Sequence, residues 1–92
     1  MSRPRALQFI RQQAAHSSNV EFHPHAQRAM LKRKINARQV LDCLLKGVIT
    51  EGPALDLKGE WRVRMERVVA GDRVSVAVAI DFVTKTLVVT VF

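Results

Sequence analysis

The sequence predicts an α+β domain: helices from the first half packed on one face of a three- to four-stranded antiparallel meander formed by the second. Two observations carry this. Before Gly47, apolar residues recur at three- and four-residue spacing. After it they alternate with polar ones, and Gly52-Pro53, Ala70-Gly71-Asp72 and Val83-Thr84-Lys85 cut the chain into strand-length pieces. Helices first and strands last is the order of an α+β fold.

The elements follow in turn. Ser2 caps a helix over Arg3–His16, in which Leu7, Ile10 and Ala14 form one face with Ala6 and Phe9 beside them. The polar run His16–Asn19 ends it, and Val20–Phe22 is a short extended piece. Pro24 suits the first position of a second helix, because its missing N–H would be unpaired there anyway. His23 is then its cap. Asn36 caps a third helix, with Gln39 placed to complete a capping box and Ile35 and Val40 to form a hydrophobic staple. That helix, Ala37–Lys46, buries Val40, Leu41, Leu44 and Leu45, and Gly47 is its expected left-handed stop. Cys43 lies inside it as a small buried hydrophobe.

Val48–Glu51 reads as a short strand stopped by Gly52-Pro53. Trp61, Val63 and Met65 alternate with Arg62, Arg64 and Glu66 in a half-buried strand. Val74, Val76, Val78 and Ile80 share one face of the next strand. Leu87, Val89 and Val91 alternate with Val88, Thr90 and Phe92 in the last. The Trp61/Val63/Met65 face should receive the helices. The opposite face, with Arg62, Arg64, Glu66, Ser75 and Thr90, is then a shallow groove for an extended ligand.

Ninety-two residues, 48% of them apolar, suit one domain with one modest core. No apolar run reaches the roughly eighteen residues of a membrane span. The N-terminal MSRPRALQFIRQQ has no long apolar stretch and reads as folded sequence, not a leader. The single cysteine excludes an internal disulfide and suits a reducing cytoplasm. His23 and His25 lack a third and fourth metal ligand, so neither metal nor cofactor is expected.

Charge is divided unevenly. The net charge is +7, and residues 1–46 carry all of it: nine Lys/Arg against Glu21 and Asp42, while residues 47–92 hold six of each sign. A one-sided basic field attracts a polyanion, RNA above all, or an acidic protein. The plainer alternative is a solvated basic face. The stretch HPHAQRAMLKRKI (23–35) concentrates this charge. It sets His25, Arg28 and Lys32 along one helical stripe and Ala26, Ala29, Met30 and Arg33 along the next.

His25-Ala26 followed by Met30, Arg33 and Ile35, then a helix and a glycine, resembles the signature of bacterial domain-of-unknown-function family 4258. The ending VSVAVAIDFVTKTLVVTVF resembles that family's closing hairpin. The resemblance covers residues 20–92 and leaves 1–19 as a helical extension of a single domain. One departure is visible: the family's arginine before the Met falls at Ala29, and Arg28 stands one place earlier, a turn of about 100° round the helix. The family is similar to the RelE, barnase and EndoU group of ribonuclease folds. That likeness implies a RelE-like toxin that cleaves RNA, ribosome-bound mRNA included, without a metal or cofactor. It also implies an antitoxin protein as partner.

Such cleavage needs a base for the 2′-OH, an acid for the leaving oxygen and cations for the phosphate. The candidate catalytic residues are His25, Arg33 and Thr90, with Glu66 a further possibility from the sheet. His25 and Arg33 stand about 12 Å apart along a helix axis. Arg28, Lys32, Lys34, Arg62 and Arg64 are the candidate RNA-binding cations. Against this, His25 could simply cap or pack, and Arg33 could pair with Asp81 or Glu66. Two other readings stay open: a non-catalytic basic module binding RNA or an acidic protein, and a toxin-like fold that has lost activity.

Overall fold

A computed structural model describes all residues, 1–92. The elements are α1 (Arg3–Ala14), β1 (Val20–Phe22), α2 (Pro24–Arg33), α3 (Ala37–Lys46), β2 (Val48–Leu55), β3 (Trp61–Val69), β4 (Asp72–Asp81) and β5 (Thr86–Val91). A single 3₁₀ turn, Ser17–Asn19, joins α1 to β1. The α+β class holds, with three α-helices and one sheet.

The sheet itself corrects the expectation of three or four antiparallel strands. It has five, in the order β1-β5-β4-β3-β2. Strands β2 to β5 form the antiparallel meander. The added strand β1 pairs parallel to β5, Val20 with Leu87 and Phe22 with Val89. Three residues are too few to show a period, and the partner strand lies at the far end of the chain. No local signal marks such a pairing.

Several boundaries also move. Helix α1 stops at Ala14, not His16. Gly47 ends α3 with φ −73° and ψ 179°, extended rather than left-handed. The chain passes straight from α3 into β2 there. Glycine is needed for space instead: a Cβ at Gly47 would lie 2.7 Å from the Glu66 carbonyl oxygen. Strand β2 runs through Gly52-Pro53 to Leu55, with register shifts between Ile49 and Glu51 and between Glu51 and Ala54. Proline is tolerated because β2 is an edge strand, where a missing N–H breaks no ladder bond.

The capping box at Asn36 forms in full. Asn36 Oδ1 accepts from the Gln39 N–H and Gln39 Oε1 accepts from the Asn36 N–H, both at 2.9 Å. In the β3–β4 turn, Ala70 (φ 51°) and Gly71 (φ 83°) are both left-handed. That is the pattern a two-residue hairpin needs to match the twist of its strands. Asp81 closes the β4–β5 turn by accepting from the N–H groups of Val83 and Thr84. The Thr84 backbone bond is the largest of the effects that hold its carboxyl below the usual 3.8.

All three helices pack on one sheet face. Ile10, Val40, Leu44, Met65, Val76, Val78, Leu87 and Val89 are fully buried between them, and Trp61 packs at the margin. Helix α1 belongs to this core through Ala6, Ile10 and Ala14. It is also tied to the edge of the sheet. Arg3 donates to the carbonyls of Gly52 (2.8 Å), Ile49 (3.3 Å) and Thr50 (3.4 Å), and Arg11 to that of Gly47 (3.1 Å). With its bulges, Pro53 and the Arg3 clamp, β2 is a poor template for a further strand.

Candidate functional site

The start of α2 is the chemically richest corner. The His23 N–H donates to the Val89 carbonyl, so His23 continues the β1 register one step and stands level with Thr90 of β5. Its own backbone (φ −58°, ψ 146°) lies outside the helix, and its Nδ1 caps α2 by accepting from the His25 N–H at 3.1 Å. The two rings stack, centroids 5.0 Å apart and planes within 7°. Arg28 Nη2 lies 2.8 Å from His25 Nδ1. Arginine has only protons to offer, so it donates and His25 Nδ1 accepts. Both rings therefore keep Nδ1 occupied, and neither Nε2 has a hydrogen-bond partner within the chain.

The structure does not bring Arg33 to this cluster. Arg33 ends α2 and lines a different cavity, of about 490 Å³, with Lys34, Gln39, Asp72 and Arg73. Two turns of helix separate it from His25. Lys32 is exposed on the outer side of α2. The structural alternative for Arg33, a pairing with Asp81 or Glu66, is absent from the ion pairs formed.

The remaining candidates share the sheet face away from the helices. Arg62 lies opposite Ala79, Arg64 opposite Ala77, Glu66 opposite Ser75, and Thr90 on the other side of Ala77. Arg62 Nε meets Asp56 Oδ2 at 2.6 Å. This bond, ahead of the backbone bonds from Glu60 and Lys58, holds the Asp56 carboxyl below the usual 3.8. The Arg64 guanidinium lies 4.1 Å above the Phe92 ring, a cation–π contact, and 3.9 Å from Glu51. Its Nε is buried without a hydrogen-bond partner. Together Arg62, Arg64, Ala77 and Phe92 line a groove of about 240 Å³. Glu66 accepts from the Ser75 hydroxyl at 3.3 Å.

Cys43 lies elsewhere, fully buried with Sγ 3.7 Å from the Val74 carbonyl. Burial first, then the neighbouring Asp42, pushes its thiol up to about 12, so it is a packing residue rather than a nucleophile. No group of three or more His, Cys, Asp or Glu is placed to hold a metal ion.

Residues 22–92 match the family described as domain of unknown function (DUF4258). The chain belongs to this family. No curated protein and no solved structure matches it. The DUF4258 region thus includes the histidine pair, both arginine clusters and the whole sheet except the first two residues of β1. Helix α1 lies outside it. No helix is long and apolar enough to cross a membrane.

Sequence reasoning read His23 as a cap, left open its role beside His25, and gave no site role to Arg73, Asp56 or Phe92. Residues two apart do not face each other on a helix, so His23 and His25 gave no sign of stacking. The one available signal was Pro24 itself: it places His23 outside the helix, where the ring is free to fold back. Arg73 reaches Arg33 only through the fold, forty residues along the chain.

Proposed function

We propose that this DUF4258 chain is a toxin-like RNA-binding domain, and that His23, His25 and Arg28 form its reactive centre. The carrying observation is the stacked imidazole pair with Arg28 on one of the rings. As it stands, the cluster presents two Nε2 atoms and a guanidinium, a set suited to a phosphodiester. A phosphate oxygen competes for Arg28. When it draws the guanidinium away, His25 Nδ1 becomes free to take a proton from a 2′-OH, and the His25 imidazolium so formed can pass that proton to the leaving oxygen, while Nε2–H of His23 hydrogen-bonds the phosphate. That is acid–base chemistry for RNA cleavage without a metal. Thr90, level with His23, can hydrogen-bond a neighbouring ribose or phosphate. The basic first half supplies the long-range attraction, and the open face with Arg62 and Arg64 offers a track for the strand. Helices on one face of a meander sheet suit comparison with RelE-like toxins acting on ribosome-bound mRNA. The apolar surface around Leu31, which is 83% exposed, offers an antitoxin protein a contact.

A second reading, a non-catalytic module for RNA or an acidic protein, is favoured by a separate observation: both Nδ1 atoms are already engaged. The experiment is cleavage of a labelled RNA in chelator, beside filter binding over a salt series, for the native chain, His23→Ala, His25→Ala and Arg28→Ala. Cleavage lost in each variant with binding largely kept supports the enzyme. Salt-dependent binding with no cleavage by the native chain assigns the module. Binding unchanged from low to high salt sinks both electrostatic accounts.

A further inference from the structure

The cavity at the other end of α2 gathers three cations that form no ion pair, with the single carboxylate of Asp72 beside them. Arg33 and Lys34 come from the helix end, Arg73 from the start of β4, and the three line one space of about 490 Å³. All four ion pairs of the structure use other bases: Lys46, Arg62, Arg64 and Arg67. Two cations at a helix C-terminus need no ligand to explain them, since they complement the helix dipole. Arg73 is an exposed strand residue, so the dipole does not account for it.

The backbone fixes where the Lys34 charge sits. Lys34 caps α2 in the left-handed conformation, φ 56° and ψ 41°. Glycine adopts that conformation without strain, and lysine does not. Ala70 and Lys85 hold the same conformation in the hairpin turns, so strain alone marks no site; at Lys34 it coincides with a charge at the cavity. Asp72 also lines the space, unpaired with any of the three cations. An acceptor among phosphate-binding donors is the group that can take a hydrogen bond from a ribose 2′-OH.

We propose that Arg33, Lys34 and Arg73 form a phosphate subsite for single-stranded RNA, with Asp72 reading the adjacent 2′-OH. This rests on the RNA-binding reading above. It removes Arg33 from the reactive centre and makes it an anchor. The subsite stands roughly 12–15 Å from His25 along the helix axis, so the strand would be gripped beyond the nucleotides at the histidine pair.

The test is titration of the labelled full chain with inorganic phosphate, adenosine 5′-monophosphate and 2′-deoxyadenosine 5′-monophosphate, followed through backbone amide resonances. Phosphate should move the amides of Lys34 and Arg73, and the ribonucleotide should bind more tightly than the deoxynucleotide. Arg73→Ala should weaken phosphate about tenfold, as loss of a charge-assisted contact does, and Arg73→Lys should recover part of it. Asp72→Asn should erase the preference for ribose. Lys34→Gly is the sharpest arm: it should raise Tm by relieving the backbone while weakening phosphate. Perturbations confined to His23, His25 and Arg28 would overturn the subsite, and so would Lys34→Gly that binds phosphate as the native chain does. Equal binding of the two nucleotides would overturn the role of Asp72. Phosphate held at the cavity by a chain that binds no RNA oligomer would keep the anion site and defeat the RNA reading instead.

Discussion

The two faces of the sheet are made from the same strands and obey different rules. On the covered face every strand offers an aliphatic side chain, and the helices bury them whatever their exact shapes. On the open face the charged residues have individual partners: Arg62 has Asp56, Arg64 has Phe92, Glu66 has Ser75. The covered face is held by an area effect that tolerates detail. The open face is held by a few directional contacts, each of small worth. Stability should therefore depend on the first and function on the second.

The sharpest contrast lies within β5. Leu87 is fully buried, and three residues on Thr90 sits half-buried on the open side. Leu87→Ala should cost about 2–5 kcal/mol, from lost transfer energy and the cavity left behind. Thr90→Ala should cost below about 1 kcal/mol and show its effect, if any, on RNA. Urea unfolding of both variants measures the difference. Comparable losses would mean that the open face is structural and that the functional assignments on it need another basis.

The same division explains what could be read from the sequence. The alternation Val74, Val76, Val78, Ile80 states its own answer, because a period of two and a helix-covered face come together. The Asn36–Gln39 capping box is equally local and is found as expected. The parallel pairing of Val20–Phe22 is not local, and nothing in three residues announces it. The site divided in the same way. His25 and Arg28, one helical turn apart, meet as their spacing implies. His25 and Arg33 share a helix but stand two turns apart, and Arg33 lines a cavity with Arg73 instead of meeting the histidines. Partners supplied by the fold, such as Asp56 for Arg62, leave no trace in periodicity.

Asn36 tests the covered side at intermediate size. Its side chain and that of Gln39 satisfy two N–H groups at the junction of α2 and α3, and α3 carries Val40, Cys43 and Leu44 into the core. Asn36→Ala should cost about 1 kcal/mol, well below Leu87→Ala. Asn36→Asp should be nearly neutral, since it keeps the acceptor and adds a favourable charge at a helix start. Thermal melting decides. A loss as large as that of Leu87→Ala would show that the cap sets the angle of α3 on the sheet, and with it the whole core.

The smallest effect belongs to the open side. Asp56 accepts from the N–H groups of Lys58 and Glu60 and from Arg62 Nε. Its carboxyl is held below the usual 3.8 chiefly by Arg62. A carboxylate with a lowered pKa binds fewer protons folded than unfolded as acid is added, so stability must fall there. Its contribution is complete above about 3.8 and disappears as pH drops through the lowered value. Asp56→Asn keeps an oxygen for the two backbone N–H groups and removes the charge together with the Oδ2 acceptor of Arg62. The variant should melt slightly below the native chain at pH 7, and the gap should close as the pH falls below that range. Added salt should narrow it at neutral pH, because the pair is exposed to water. A gap that stays constant with both pH and salt would assign the loss to the loop geometry of residues 56–60. The comparison of the faces would then sharpen further, because the open side would owe even this contact to backbone bonds rather than to charge.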